Sequence, residues 1–485
     1  MNRRTFIHAT LGLTGGLGLA EADTPVGSLL KMLEDAPREQ VPRELVRSIR
    51  DGAHYEEVLA ALCLATVRNV QPYPDVGFKY HTVMMLRAID AATGHQPPAD
   101  QWLPIIWAAD YFKESQSEEQ AAGGWRQPAR PALPAGDAQA VRRSLTSALD
   151  RWDRDAADAA IARYSQIASV EEIFAVLFAY GLRDLRAIGH KAISVSNAHL
   201  LTGLLGSAQA EPLLRSTVAA LLNSDEGPNP ATHDLSPDRA WRENEKRLSQ
   251  IPASWRQGHD DAGARTHLRA ALYQTTPERA GAVVVELLGR GISPEALWQV
   301  LFDTAAELVL HQPGIVALHS QTTANALHYT YLASHDDRTR QLTLLQCAAF
   351  VAMFRQMTGA RAGDLELTAL RPQRPDHTGE DAIAEIFAEL TAGRRLLAAQ
   401  KCLAFLQDGG DAARVVATAR HHVTYGAQEA HDFKFAEAMF ENYAQLPDST
   451  STWRPRFLSA GMAYFKAPAR RPVAVIQEAK ELFAF

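Results

Sequence analysis

Cysteine is scarce in this chain, with three in 485 residues. Cys63, Cys347 and Cys402 sit inside apolar helical patterns (LCLA, LLQCAAF, QKCLAF) without C-x-x-C spacing, which reads as core packing and excludes a disulfide framework. Basic residues are also short: 49 Lys and Arg face 56 Asp and Glu, for a net charge of −7. That balance carries no electrostatic footprint for nucleic acid. No uncharged apolar run approaches the ~18 residues a membrane helix needs, so no membrane span is expected in the mature form. Strand-like alternation hardly appears. G-x-S-x-G, H-E-x-x-H, Walker and G-x-G-x-x-G elements are missing from any suitable context.

What is present is helical. Alanine and leucine dominate windows with apolar residues at i, i+3, i+4 and i+7, as in 140–149, 279–289, 340–355 and 381–406, and this pattern predicts an all-α protein. The N-terminus is set apart from that pattern. Arg3 and Arg4 precede Phe6, a Gly-rich weakly apolar stretch and the small residues of Ala20-Glu21-Ala22. Residues 1–22 therefore resemble a twin-arginine export signal, with the twin-arginine export machinery as partner and a periplasmic or secreted mature protein as the consequence.

One pattern is written four times. Segments HTVMMLRAIDAA, HKAISVSNAHLL, HSQTTANALHYT and HDFKFAEAMFEN begin at His81, His190, His319 and His431, at intervals of 109, 129 and 112 residues. Each follows a helix-like segment with acid or cap residues at its start: HYEEVLAALC (54–63), SVEEIFAVLF (169–178), SPEALWQVLF (293–302) and the looser GGDAARVVATA (409–419). Repetition at this length predicts four helical units, 23–136, 137–262, 263–380 and 381–485, packed as one array or closed bundle over a shared core. Turn-rich breaks lie around Gly123–Gly136, at 224–263 with Trp241 and Trp255, and at 359–380.

Helical geometry then selects among the histidines. Residues at i+3, i+4 and i+7 share a face with the leading histidine, whereas His328, at i+9 from His319, is turned by about 180°. Ala88, Ala326 and Ala438 occupy i+7, and Asn197 followed by Ala198 stands there in the second copy. If equivalent faces converge, His81, His190, His319 and His431 line one cavity. Neutral imidazoles there are candidate ligands for a metal ion or haem. Neighbouring Lys79, Tyr80, Lys191, Asn325 and Asp432 are the candidates for polarising or orienting a small-molecule substrate, with Asn197, Gln321 and Lys434 as further polar company. Lysines beside the histidines suit an anionic or phenolate substrate. The plain alternative is that each histidine caps or stitches its own helix. Weaker constellations are His421-His422, His259-Asp260-Asp261, and Asp110-Tyr111 beside Trp107.

The segments ALHSQTTANALHYTYLAS, TLLQCAAFVAMFR and GLRDLRAIGHKAISVSNAHLL resemble the questin oxidase-like proteins, all-helical chains with histidine-led segments in several units. The resemblance spreads over much of 55–445. It implies an oxygenase-like oxidoreductase, since the family's named fungal member is similar to a Baeyer–Villiger-type oxidase that opens an anthraquinone ring with NADPH and oxygen. The export signal departs from that pattern, because NADPH is scarce outside the cytoplasm. The expectation is thus an exported oxidoreductase acting on an aromatic or phenolic small molecule, with a metal or haem for the redox step. Two other classes stand beside it: a non-catalytic helical-repeat binding module, and a cofactor-free hydrolase or lyase using histidine acid–base chemistry.

Overall fold

The computed structural model describes residues 24–72, 80–207, 209–223, 229–359, 366–446 and 453–484. The export-type segment 1–22 and Lys79 lie outside them. Within the described residues the chain is all helical, with a single isolated β-bridge between His259 and Ile292. No helix among them is long and apolar enough to cross a membrane.

Local sequence explains where the helices begin. Ser169 and Glu172 form a reciprocal capping box at Val170–Arg183, and the Glu57 carboxylate accepts from the backbone N–H of His54 at the start of Tyr55–Asn69. Ser293 caps Pro294–His311, with proline at the first helical position, where its missing N–H has no intrahelical partner to lose. Asp411 caps Ala412–Gly426. These four cap-started helices are the repeated segments that precede each histidine. Together they place the same element before each site residue.

The four histidine-bearing helices form the inner layer. They are His81–Met84, continued after Met85 by Leu86–Gly94; His190–Leu205; Ile315–Ala333; and Ala430–Gln445. The His190 helix packs on the His319 helix, that one on the His431 helix, the His431 helix on Leu86–Gly94, and the ring closes back onto the His190 helix. The closed-bundle form of the expected architecture is therefore the one observed. Each cap-started helix packs outside its own inner helix. The C-terminal helix Ala474–Ala484 lies across Val41–Arg50 and Leu103–Ala121, so the last segment of the chain is tied to the first.

Apolar side chains fill the space between the layers in one continuous cluster. Cys63, Cys347 and Cys402 are free and fully buried in it, and burial pushes the thiols of Cys63 and Cys402 up to about 12. That is the chemistry of inert core residues. From the 224–263 excursion, Ser236–Arg247 is a helix packed on Pro277–Gly289 and Asp337–Thr358, with Trp241 and Trp255 buried.

Candidate metal centre

Each inner helix brings its histidine to the bundle axis by a slightly different local route. His190 opens its helix directly after Gly189, whose φ of +83° only glycine adopts cheaply and whose absent side chain makes room for Thr323. His81 opens the short first segment of its helix, and His431 is the second residue of its own. His319 departs from the histidine-first pattern, lying one turn inside Ile315–Ala333. There its Nδ1 is 2.6 Å from the carbonyl oxygen of Ile315.

The four rings meet. Nε2 of His81 lies 2.7 Å from Nε2 of His431, and Nε2 of His319 lies 2.9 Å from Nε2 of His190. One nitrogen from each of the four falls within 4.8 Å of all the others. The rings pack edge to face, at interplanar angles from 64° to 87°. None is more than 8% exposed. Metal–imidazole bonds of about 2.0–2.1 Å place adjacent nitrogens roughly 3 Å apart and opposed ones roughly 4 Å apart. The observed cluster is close to that spacing, and so could bind a metal ion.

Its electrostatics favour lone pairs over protons. Burial is the largest cause holding all four imidazoles below their ordinary range, and the Lys434 ammonium adds to it in every case. Neutral imidazole is the form that ligates. Two tautomers are set by partners outside the cluster: Nδ1–H of His319 donates to Ile315, and Nδ1–H of His431 points at the Glu429 carboxylate, 3.3 Å away. Both leave the inward Nε2 as the acceptor, the second-shell arrangement that fixes metal-binding histidines.

Below the rings the same register continues. Stepping three residues from each histidine gives Met84, Ile193, Thr322 and Lys434; six gives Arg87, Ser196, Asn325 and Glu437; seven gives Ala88, Asn197, Ala326 and Ala438. All of these, with Glu441, line one cavity. Equal offsets from four helices reach one cavity only if the helices run in the same direction around it. The i+7 residues singled out in the sequence are thus its wall. At about 30 Å³ it has room for roughly two waters. Its outer end carries Arg87, which is salt-bridged to Glu441, donates to Asn325 over 3.0 Å, and lies 4.5 Å above the Tyr329 ring.

The other predicted residues divide sharply. Asn325 lines the cavity and is bonded to Glu441 and Asn442 as well as Arg87. Tyr80 is buried with its hydroxyl 3.0 Å from Ser216, and burial pushes that phenol up. Lys191 is buried in an ion pair with Asp184 at 2.5 Å and donates to the carbonyl of Leu221. Asp432 caps its own helix, accepting from the backbone N–H groups of Gln428 and Glu429, and pairs with Lys466. Tyr80, Lys191 and Asp432 are not among the residues that line the cavity.

The second histidines stay outside, as the helical face requires. His199 bonds Tyr329 at 2.8 Å and packs against Phe174 and Phe178, while His328 packs against Trp298 and Phe302. His421 stacks on Tyr425, His259 makes the isolated bridge, and Asp110 pairs with Arg38. Sequence reasoning underweighted Lys434, Glu429, Arg87, Glu437 and Glu441. Four of them stand at i+3, i+6 and i+10 from a leading histidine, on or next to the face that the histidine selects. Comparison with protein-family models, with curated proteins and with solved structures finds no match for this chain.

Proposed function

We propose that the protein is a metal-dependent oxidoreductase whose ion is held by His81, His190, His319 and His431. The observation that carries this reading is the convergence of four buried imidazole nitrogens within 4.8 Å. Four nitrogen ligands suit copper, iron, nickel or zinc, and the first three add redox chemistry that the side chains lack. A free ion fits better than haem, because a macrocycle would have to separate rings whose nitrogens stand 2.7 and 2.9 Å apart. The cavity one turn along the same four helices could hold a small ligand near the ion, with Asn325 on its wall to orient it.

The resemblance to questin oxidase-like chains supports an oxygenase-type reaction. An aromatic substrate would need the Arg87–Glu441 closure to open, since the cavity as it stands admits only a few atoms. The compartment we propose is the periplasm or exterior, reached with residues 1–22 as the export signal. Replacing Arg3 and Arg4 by lysine should then hold the protein in the cytoplasm.

Metal analysis and a visible absorption spectrum of the full chain purified after export test the central reading. One equivalent of a redox metal, lost together with its absorption in single His→Ala variants, is the expected result. A protein that carries no metal and takes none up on titration would leave the helical-repeat binding module or the acid–base hydrolase or lyase in its place.

A further inference from the structure

The polar groups of the cavity are unequal in one respect: most already have partners. Arg87 is held by Asn325 and Glu441, and Glu437 by Arg420 at 2.8 and 2.9 Å. The Asn197 carboxamide accepts from the backbone of Arg87 and donates to that of Ile193, where the Ser196 hydroxyl also donates. Lys434 Nζ and Thr322 Oγ1 are the exceptions, two buried atoms on the cavity wall with no hydrogen-bond partner among the described residues. They occupy the same register position, three residues after His431 and His319, on adjacent helices of the ring.

An unpaired lysine and an unpaired hydroxyl, both nine-tenths buried or more, leave hydrogen-bonding capacity that folding normally fills. Water can fill part of it. An anion fills all of it, because it accepts from both groups and supplies the countercharge that a buried lysine lacks. The surplus in the cavity is of donors, as its carboxylates are already neutralised by arginines. Its volume, with room for roughly two waters, limits the ligand to about two or three heavy atoms.

We propose that Lys434 and Thr322 form a binding subsite for a small anion, of the size of formate or azide, one helical turn along from the four imidazoles. The subsite stands on the cavity and its two unpaired donors. It rests on the metal reading only for its role, which is to hold an anionic ligand or co-substrate next to the metal centre. Seated there, the anion would also offset the ammonium's repulsion of a divalent cation, so anion and metal should each tighten the other's binding.

The test uses the full mature chain as purified and after chelation, with formate and azide titrated calorimetrically into the parent, Lys434→Met and Thr322→Val proteins. Saturable one-to-one binding of formate to the parent is expected with and without metal. It should weaken at least tenfold in Lys434→Met and about threefold in Thr322→Val, while benzoate, too large for the cavity, gives no heat. Absence of saturable binding to the folded parent, or equal affinity in both variants, overturns the proposal. Thr322→Val removes one oxygen at constant shape and decides the matter alone if the lysine variant does not fold. Metal uptake without formate binding sinks this proposal and leaves the metal centre standing; formate binding without metal uptake does the reverse.

Discussion

Replacing Lys434 by methionine removes a buried amine that has no hydrogen-bond partner among the described residues and keeps an unbranched side chain of similar length. Burial holds this lysine down from 10.5 to about 7. Because the folded value lies below the unfolded one, the unfolded chain binds the extra proton between these limits. Stability is therefore lost as the pH falls from 10.5 to about 7, and the full penalty persists below. The corresponding linkage free energy is of the order of 5 kcal/mol at neutral pH. Exchanging a poorly compensated buried charge for a well-fitting apolar group commonly recovers about 1–4 kcal/mol of such a penalty. Urea unfolding of the metal-free protein at pH 7 and pH 9.5 checks the reasoning. Lys434→Met should be the more stable protein at pH 7 by roughly 2–4 kcal/mol, with the gap narrowing at pH 9.5. A variant that is less stable at pH 7, or one whose gap is the same at both pH values, refutes the picture of an uncompensated lysine beneath the rings.

Four further outcomes follow from the same geometry. Single alanine replacements of His81, His190, His319 or His431 should each weaken metal binding by more than about 100-fold, the upper end for loss of a mere second-shell partner; His199→Phe and His328→Phe, outside the cluster, should leave it unchanged by calorimetric titration. Glu429→Gln keeps the helix start but loses the carboxylate facing His431 Nδ1, and a fall of about 10–100-fold in metal affinity is expected, with an unaltered value counting against second-shell control. Ala326→Val intrudes on the cavity wall, so formate binding should disappear while metal content stays the same. The metal-free protein should lose stability as the pH drops below 6.5, because the unfolded chain protonates histidines that the fold keeps neutral: the four of the cluster, together with His199 and His422, held at about 4, and His328, held at about 3. Each fully buried histidine adds about 1.4 kcal/mol per pH unit to that slope until its folded value is reached, and a thermal midpoint that is flat between pH 7.5 and 5 would contradict the assignment.

The part of this architecture legible in the sequence is the part written more than once. Four histidine-led copies, each behind a cap-started helix, specify an all-helical ring without reference to any one contact. The helical period alone separates His190 and His319 from His199 and His328. Register also anticipated the alanine wall, because i+7 is a property of the helix rather than of the tertiary fold. What repetition could not supply lies where the copies differ. Lys434 stands where the other units have Met84, Ile193 and Thr322, so nothing in a single copy marks it as the charge beneath all four rings. Lys191 follows its histidine by one position, and the helix turns it onto Asp184, a pairing set by the preceding loop. Asp432 looked like a site acid, yet it lies in the first turn of its helix and satisfies the free N–H groups of that terminus. Glu429 precedes the helix, and only the backbone path around Ala430 brings its carboxylate to His431.

X-ray absorption at the metal edge of the protein, loaded to one equivalent, tests the central claim most directly. The account predicts a single ion with four nitrogen ligands at about 2.0–2.1 Å and imidazole scattering from four rings, falling to three in His319→Ala. A loaded ion surrounded mainly by oxygen, or one whose imidazole signal is unchanged in that variant, would show that the four histidines meet without holding a metal.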